Sequence, residues 1–142
     1  MYKVKLVPNS YEIHLNNINI RYVSFDRGAT PYKCTYSPEI KRDEIGMSLE
    51  HMLINRFFEG DVIQAHSFDA PPHFELDSIE FECTKSVDLD KLKEMILGHI
   101  MVQCQFFKFS DAIVRVYSKS RGIVTCDTLM SQHTLGDRHD PA

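Results

Sequence analysis

The chain has 142 residues, 43% of them hydrophobic and 25% charged, which is the composition of a folded globular protein and excludes disorder over most of the length. Sixteen lysines and arginines against twenty aspartates and glutamates give a formal net charge of −4, which argues against binding to bulk duplex nucleic acid. The length favours one domain over 1–142, with a polar C-terminal tail at 127–142 that we expect to dock on it.

The cysteines and the apolar runs bear on the cellular compartment. Cys34, Cys83, Cys104 and Cys126 are widely spaced and include no C-x-x-C pair, which argues against a local zinc site and is typical of buried free thiols in a reducing compartment. The chain opens with strand-like alternation rather than a secretory leader, and its apolar runs fall far short of the roughly twenty residues of a membrane span. We therefore expect a soluble, cytoplasmic protein.

The first quarter of the chain alternates apolar and polar residues, which predicts β-strands. Runs at 2–6 and 11–15 are separated by turn-forming residues and are predicted to form an N-terminal hairpin. A third strand is predicted over 18–25. The stretch after it contains two prolines and is predicted to be loop, with a short strand at 32–36.

Two helices are indicated by their N-terminal caps. Ser48 is predicted to cap a helix over 48–59, and Asp88 one over 88–100, each with apolar residues placed as a hydrophobic staple around the cap. The tail from 127 shows no convincing period, and no strand is predicted in it. The remaining predicted strands are 61–68, 77–86, 101–109 and 112–126.

These elements follow the order strand, helix, strand, strand, helix, strand, which is the β-α-β-β-α-β series of ferredoxin-like folds. We predict an α+β fold in which a mainly antiparallel sheet carries both helices on one face, with the N-terminal hairpin as an addition. The other sheet face would be open to solvent or to a partner. Tandem barrels of ββα type that assemble as rings are the alternative architecture.

A cationic row on one strand is the best candidate for a binding surface. Strand alternation directs Arg115, Tyr117, Lys119 and Arg121 to the same face. Arginine offers a planar fork for phosphate, and tyrosine offers a flat surface for stacking, so this row is a candidate site for a nucleotide or another phosphorylated ligand. The plainer interpretation is the solvated side of a half-buried strand, where cations discourage edge-to-edge pairing.

An acidic row on another predicted strand supplies the complement. Glu80 and Glu82 alternate with apolar residues and are predicted to pair with the cationic row across a subunit interface. This arrangement would make the protein a homo-oligomer or the binder of a separate protein partner.

Motifs for metal binding and catalysis are weak. His66, Asp69 and His73 place two imidazoles and a carboxylate within eight residues, yet this spacing matches no established ligand geometry, so no metal or other cofactor is predicted. Cys34 lies beside Lys33, which can lower the pKa of a thiol, and one of the histidines elsewhere in the chain is the open candidate for its partner base. Six scattered glycines form no phosphate-binding loop, and no catalytic residue is predicted.

The sequence therefore favours a non-catalytic binding or assembly module that self-associates, such as an accessory or structural subunit of the kind found in phages. The alternative is an enzyme or sequestering protein that binds a phosphorylated small molecule or a nucleic-acid end through the Arg115, Tyr117, Lys119 and Arg121 row.

Overall fold

The computed structural model describes residues 1–8, 10–25, 30–118 and 121–135. The chain divides into two compact units, Met1–Ala70 and Pro71–Ala142. In the described residues the fold is mainly β, with thirteen strands in three sheets and two short helices. This division does not test whether residues 1–142 form the single domain that the sequence predicts, so that domain stays a prediction.

The N-terminal unit contains one seven-stranded sheet and one helix in its described part. Its elements are β1 (Tyr2–Leu6), β2 (Ile13–Leu15), β3 (Tyr22–Ser24), β4 (Tyr32–Tyr36), β5 (Glu44–Met47), α1 (Leu49–Asn55), β6 (Val62–Ile63) and β7 (His66–Ser67). The strand order is β6-β1-β5-β2-β4-β3-β7. β5 lies between β1, to which it is parallel, and β2, to which it is antiparallel. The predicted N-terminal hairpin is therefore wrong, because β1 and β2 are not neighbours.

The core of the N-terminal unit is formed by alternate residues of these strands. Ile13 and Leu15 on β2 and Ile45 on β5 are buried, with Met47 beside them. Met52 from α1 packs on the same cluster. Each such side chain contributes about 1.5–3 kcal/mol by leaving water, so the alternation of the strands holds this unit together.

Helix α1 begins as the sequence predicts and ends earlier. The Ser48 hydroxyl accepts a hydrogen bond from the backbone N–H of His51, which confirms the predicted cap. Arg56 adopts a left-handed conformation with φ of 60°, and its N–H bonds back to Leu53. The chain therefore leaves the helix at Asn55, not at the predicted residue 59.

His51 is a buried imidazole in the first turn of α1. Its Nε2 lies 2.7 Å from the carbonyl oxygen of Tyr11, and the rings of Tyr11 and Tyr32 lie 5.1 and 4.7 Å away. Nε2 therefore carries the proton, and the buried Nδ1 has no hydrogen-bond partner among the described residues. Burial lowers the pKa of His51 below its ordinary value of 6.5.

We predict that acid destabilises the protein through His51. Because its folded pKa is lowered, its unfavourable contribution is absent well above pH 6.5 and grows as the pH falls through 6.5, where the unfolded imidazole takes up a proton that the folded one resists. Urea unfolding at several pH values should show that His51→Phe flattens this decline. The same substitution at exposed His66 controls for loss of an imidazole, and an unchanged slope in His51→Phe would contradict the prediction.

The C-terminal unit contains a four-stranded sheet, a two-stranded sheet and one helix in its described part. Its elements are β8 (Ser78–Cys83), α2 (Leu89–Ile96), β9 (Ile100–Met101), β10 (Phe106–Phe109), β11 (Ala112–Val116), β12 (Gly122–Ile123) and β13 (Leu129–Thr134). The larger sheet has the order β10-β11-β8-β13, and β12 pairs with β9. β13 is parallel to β8, whereas β11 is antiparallel to it.

Helix α2 ties the last strand to the rest of the C-terminal unit. Asp88 accepts from two backbone N–H groups in the first turn, which confirms the predicted cap. The Lys93 ammonium donates to the carbonyl oxygens of Cys126 and Thr128, at 2.8 and 2.7 Å. The buried Thr128 hydroxyl in turn donates to the carbonyl of Leu76 at 2.6 Å. These bonds fix the chain just before β13, in the region that was predicted to be a tail without a strand.

The ferredoxin-like α+β prediction is wrong. The two helices belong to different compact units, so they do not cover one sheet together, and strands dominate both units. The physical reason lies in pairing: β1 with β5, β2 with β4 and β8 with β13 are parallel pairs between strands distant in sequence. Alternation within one strand does not specify its neighbour. The predicted strand at 61–68 is also two short strands, β6 and β7.

The helices are too short to cross a membrane. α1 has seven residues and α2 has eight, and within the described ranges no helix combines the required length and apolarity.

Candidate functional site

Strand β11 has one buried side and one exposed side. Val114 and Val116 are buried. Ile113, which precedes Val114, and Arg115, which lies between the two valines, are exposed, and this confirms the predicted alternation over this strand. Residues in register with the exposed positions lie on the same side of the four-stranded sheet. We call this side the outer face, and it carries Phe106, Lys108, Ile113, Arg115, Tyr117, Glu80, Glu82, Leu129, Ser131 and His133.

A single row crosses all four strands at the middle of the outer face. Phe106 on β10 is in register with Arg115 on β11. Arg115 is opposite Glu82 on β8, and Glu82 is opposite His133 on β13. The row therefore places an aromatic ring, a guanidinium, a carboxylate and an imidazole side by side, each about 5 Å from the next.

The Glu82 carboxylate is the buried centre of this row. Glu82 is only 2% exposed, and its Oε1 accepts hydrogen bonds from Nε of Arg115, at 2.9 Å, and from Nη2 of the same guanidinium. Its Oε2 lies 3.3 Å from Nε2 of His133. The hydrogen bond to Glu82, and then its charge, raise the pKa of Arg115 above the ordinary value. A buried carboxylate without such partners would strongly destabilise the sheet.

Tyr117 extends the site along the next row. Its ring meets the His133 imidazole edge to face, with centroids 5.0 Å apart and planes at 89°. Its backbone N–H donates to the carbonyl of Glu80, which keeps the two strands paired beyond the end of β11. His133 therefore contacts both the Tyr117 ring and the buried carboxylate of Glu82.

Three apolar side chains on the outer face are exposed to solvent. Phe106 and Ile113 are each 54% exposed, and Leu129 is 74% exposed. They lie on three different strands of the same face, so their exposure is a property of the surface and not of one irregular residue. Several exposed apolar side chains on one sheet face are typical of a protein-binding surface.

The members of the predicted cationic row do not all lie on one strand. Arg115 and Tyr117 lie together on the outer face, whereas Lys119 lies outside the described residues. Arg121 directly precedes β12 in the two-stranded sheet, and its guanidinium lies 5.8 Å from the centroid of the Phe74 ring. Arg115 and Arg121 therefore do not belong to one continuous strand, and each already engages a neighbouring side chain.

The predicted acidic row is also divided. Glu80 is exposed on β8, as the alternation indicates. Glu82 is buried, because Arg115 and His133 cover it from both neighbouring strands. One contact between the acidic and basic rows, Glu82 with Arg115, thus lies within the sheet, and the predicted pairing of the rows across a subunit interface stays a prediction.

The weak metal candidates do not form a recognisable centre. His66 on β7 and Asp69 are exposed in the N-terminal unit, and His73 is exposed in the C-terminal unit. Over the ranges that the structure covers, no group of three or more histidine, cysteine or acidic side chains has a metal-binding arrangement.

The cysteines are free thiols, and two of them are exposed. Cys104 and Cys126 face solvent, so the prediction of four buried thiols is wrong for this pair. Burial, and then the charge of Glu12, raise the pKa of Cys34 to about 12, which outweighs any effect of its lysine neighbour. Cys34 is therefore protonated near neutral pH and unsuited to act as a nucleophile.

Sequence reasoning missed two members of the site. His133 falls in the docked tail over 127–142, for which no strand is predicted, and Phe106 is not among the predicted site residues. Only the strand register could identify them, because pairing of β13 with β8 brings His133 beside Glu82 and pairing of β10 with β11 brings Phe106 beside Arg115.

No profile of a known protein family matches the sequence, and a search of curated proteins finds no match.

We predict that Glu82→Gln lowers the free energy of unfolding by about 2 kcal/mol, because it removes the buried half of a charged hydrogen-bonded pair. Arg115→Met should destabilise more at pH 7, since it leaves the buried carboxylate without its cation, and part of this loss should be regained at lower pH relative to the unmodified protein. Urea unfolding measures both changes.

Glu80→Gln is the matched control for this test, because Glu80 is an exposed glutamate on the same strand. Its effect should stay within about 0.5 kcal/mol, as is usual for surface positions. Equal effects of Glu80→Gln and Glu82→Gln would contradict the role assigned to the buried carboxylate.

Proposed function

We propose that the protein is a non-catalytic binding module that associates with a second copy of itself through the outer face of the four-stranded sheet. The observation that supports this proposal most is the exposure of Phe106 and Ile113 beside the Glu82–Arg115 pair, with exposed Leu129 further along the same face. Aromatic residues and arginine are the residue types that contribute most to protein interfaces.

The chemistry of the outer face suits contact more than catalysis. Both oxygens of Glu82 are engaged, one by Arg115 and one by His133, and the carboxylate is buried. It is therefore poorly placed to exchange a proton with a substrate. The Arg115 side chain is half-exposed while its charge is balanced by Glu82, and a guanidinium of this kind can stack on a partner's side chain.

Charges at the edge of the apolar group favour a second copy as the partner. Glu80 on β8 and Lys108 on β10 are both exposed and flank the central row on opposite sides. In a two-fold pairing of outer faces, Glu80 of one copy can approach Lys108 of the other, and the same contact repeats by symmetry. The apolar side chains would then meet at the centre.

Two contacts weigh against the alternative of a phosphorylated ligand on this surface. Nε and Nη2 of Arg115 already donate to Glu82. The Arg121 guanidinium lies over Phe74. A phosphate would have to compete with the carboxylate for the best-aligned donors of Arg115, which lowers its affinity.

Light scattering after size exclusion tests the proposal directly. At tens of micromolar, where a small interface is populated, we predict a mass of two chains of 16.5 kDa each. Phe106→Ser and Ile113→Ser should each shift the mass to that of one chain, because they remove apolar contact area at the centre of the pairing.

Leu53→Ser is the matched control, because Leu53 is 69% exposed on α1 in the other compact unit. It should leave the mass unchanged, and circular dichroism should show that every variant is folded. A one-chain mass for the unmodified protein over this concentration range, or a two-chain mass that both outer-face variants retain, would overturn the proposal.

A further inference from the structure

Several chain segments of the N-terminal unit lie at the same end of its sheet, because of the directions in which their strands run. β1 and β5 are parallel, so their first residues meet, and the N–H of Lys3 bonds to the carbonyl of Asp43 at 2.8 Å. β2 runs antiparallel to β5 and parallel to β4, so the last residues of β2 and β4 lie at this same end. Leu15 and Tyr36 are paired there in register.

A concavity of about 510 Å³ opens at this end of the sheet. Tyr2 and Tyr36 contribute aromatic rings to its lining, and Arg42 contributes a guanidinium. The segment after β2 contributes asparagines together with the apolar side chain of Ile18, which is 73% exposed. The volume is within the range of sites for small molecules, about 300–1,000 Å³.

Hydrogen bonds fix the segment that carries the asparagines. The Asn16 amide donates from Nδ2 to the carbonyl of Ile40 at 2.9 Å, which ties the end of β2 to the chain just before Arg42. Asn17 Oδ1 accepts from the backbone N–H of Asn19 at 2.9 Å, forming a local turn. The lining is therefore held in place before any ligand arrives, which lowers the entropic cost of binding.

The lining has the chemistry of a site for a planar anion. It combines phenol rings, carboxamides and one guanidinium, and the described lining residues include no carboxylate. This is notable in a chain whose net charge is −4, because acidic groups are the commoner charged residues here. Tyrosine stacks on a base, carboxamides exchange hydrogen bonds with base edges or ribose hydroxyls, and arginine binds phosphate.

We propose that this concavity binds a nucleoside monophosphate. The base would stack against Tyr36, the phosphate would bind Arg42, and the asparagine amides would exchange hydrogen bonds with the base edge or the ribose hydroxyls. This site lies in the N-terminal unit and does not use the outer face, so it is independent of the self-association proposed above. A simple dicarboxylate would leave the aromatic and apolar lining unused, and an uncharged sugar would leave Arg42 unused.

Calorimetric titration with AMP, GMP and UMP tests the proposal on the full chain. We expect at least one of them to bind with a dissociation constant on the order of 10–100 μM. Arg42→Ala should weaken that binding roughly tenfold or more, because it removes a charge-assisted hydrogen bond to phosphate. Tyr36→Ala should weaken it by a similar factor through loss of stacking.

The matching nucleoside, which lacks phosphate, identifies the role of Arg42. It should bind the unmodified protein as weakly as the monophosphate binds Arg42→Ala, and Arg42→Ala should weaken the nucleoside no further. Lys41→Ala is the matched control, because Lys41 is an exposed neighbouring cation outside the lining. It should leave the dissociation constant unchanged.

Three results would overturn the proposal. The first is no heat and no NMR shift change with any of the three nucleotides at millimolar concentration. The second is unchanged affinity in both Arg42→Ala and Tyr36→Ala. The third is equal weakening by Lys41→Ala and Arg42→Ala, which would indicate diffuse attraction between charges and not a site. Since Phe106→Ser leaves this concavity intact, it should bind the nucleotide normally, whatever its oligomeric state.

Discussion

The C-terminal unit depends on a carboxylate that is buried between strands. Glu82 lies on β8 with Arg115 on one neighbouring strand and His133 on the other, and it satisfies both with separate oxygens. A buried charge is tolerated only when its partners are held in place. The register of β11 and β13 against β8 is therefore constrained by one side chain, and a slip of one residue on either strand would carry its partner to the opposite face.

This constraint determines what the outer face offers to other molecules. The charge of Arg115 is balanced within the sheet, and the surface presents its half-exposed side chain, the Tyr117 ring and exposed apolar side chains. This is why we propose contact with another protein, and not capture of phosphate, for this face. The opposite holds in the N-terminal unit, where the Arg42 guanidinium lines a concavity whose described lining includes no carboxylate.

The sequence predicts local features well, but it does not predict which strands pair with one another. The caps at Ser48 and Asp88 and the alternation within β11 are properties of a few neighbouring residues, and the structure confirms each of them. The prediction of a ferredoxin-like sheet is wrong because three parallel pairings join strands that are distant along the chain. Half of the central row was missed for the same reason. The alternation of Glu82 matches that of Glu80, so the sequence places both in one acidic row, and only pairing with β11 and β13 buries Glu82.

The most direct test of this account is the exchange of the Arg115 side-chain Nε–H with solvent, measured by NMR. An Nε–H that donates to a buried carboxylate should exchange slowly enough to be observed near neutral pH, and Glu82→Ala should abolish its protection while Glu80→Ala leaves it intact. Rapid exchange of this proton in the unmodified protein, or protection that survives Glu82→Ala, would contradict the buried pair and the self-association surface that we propose around it.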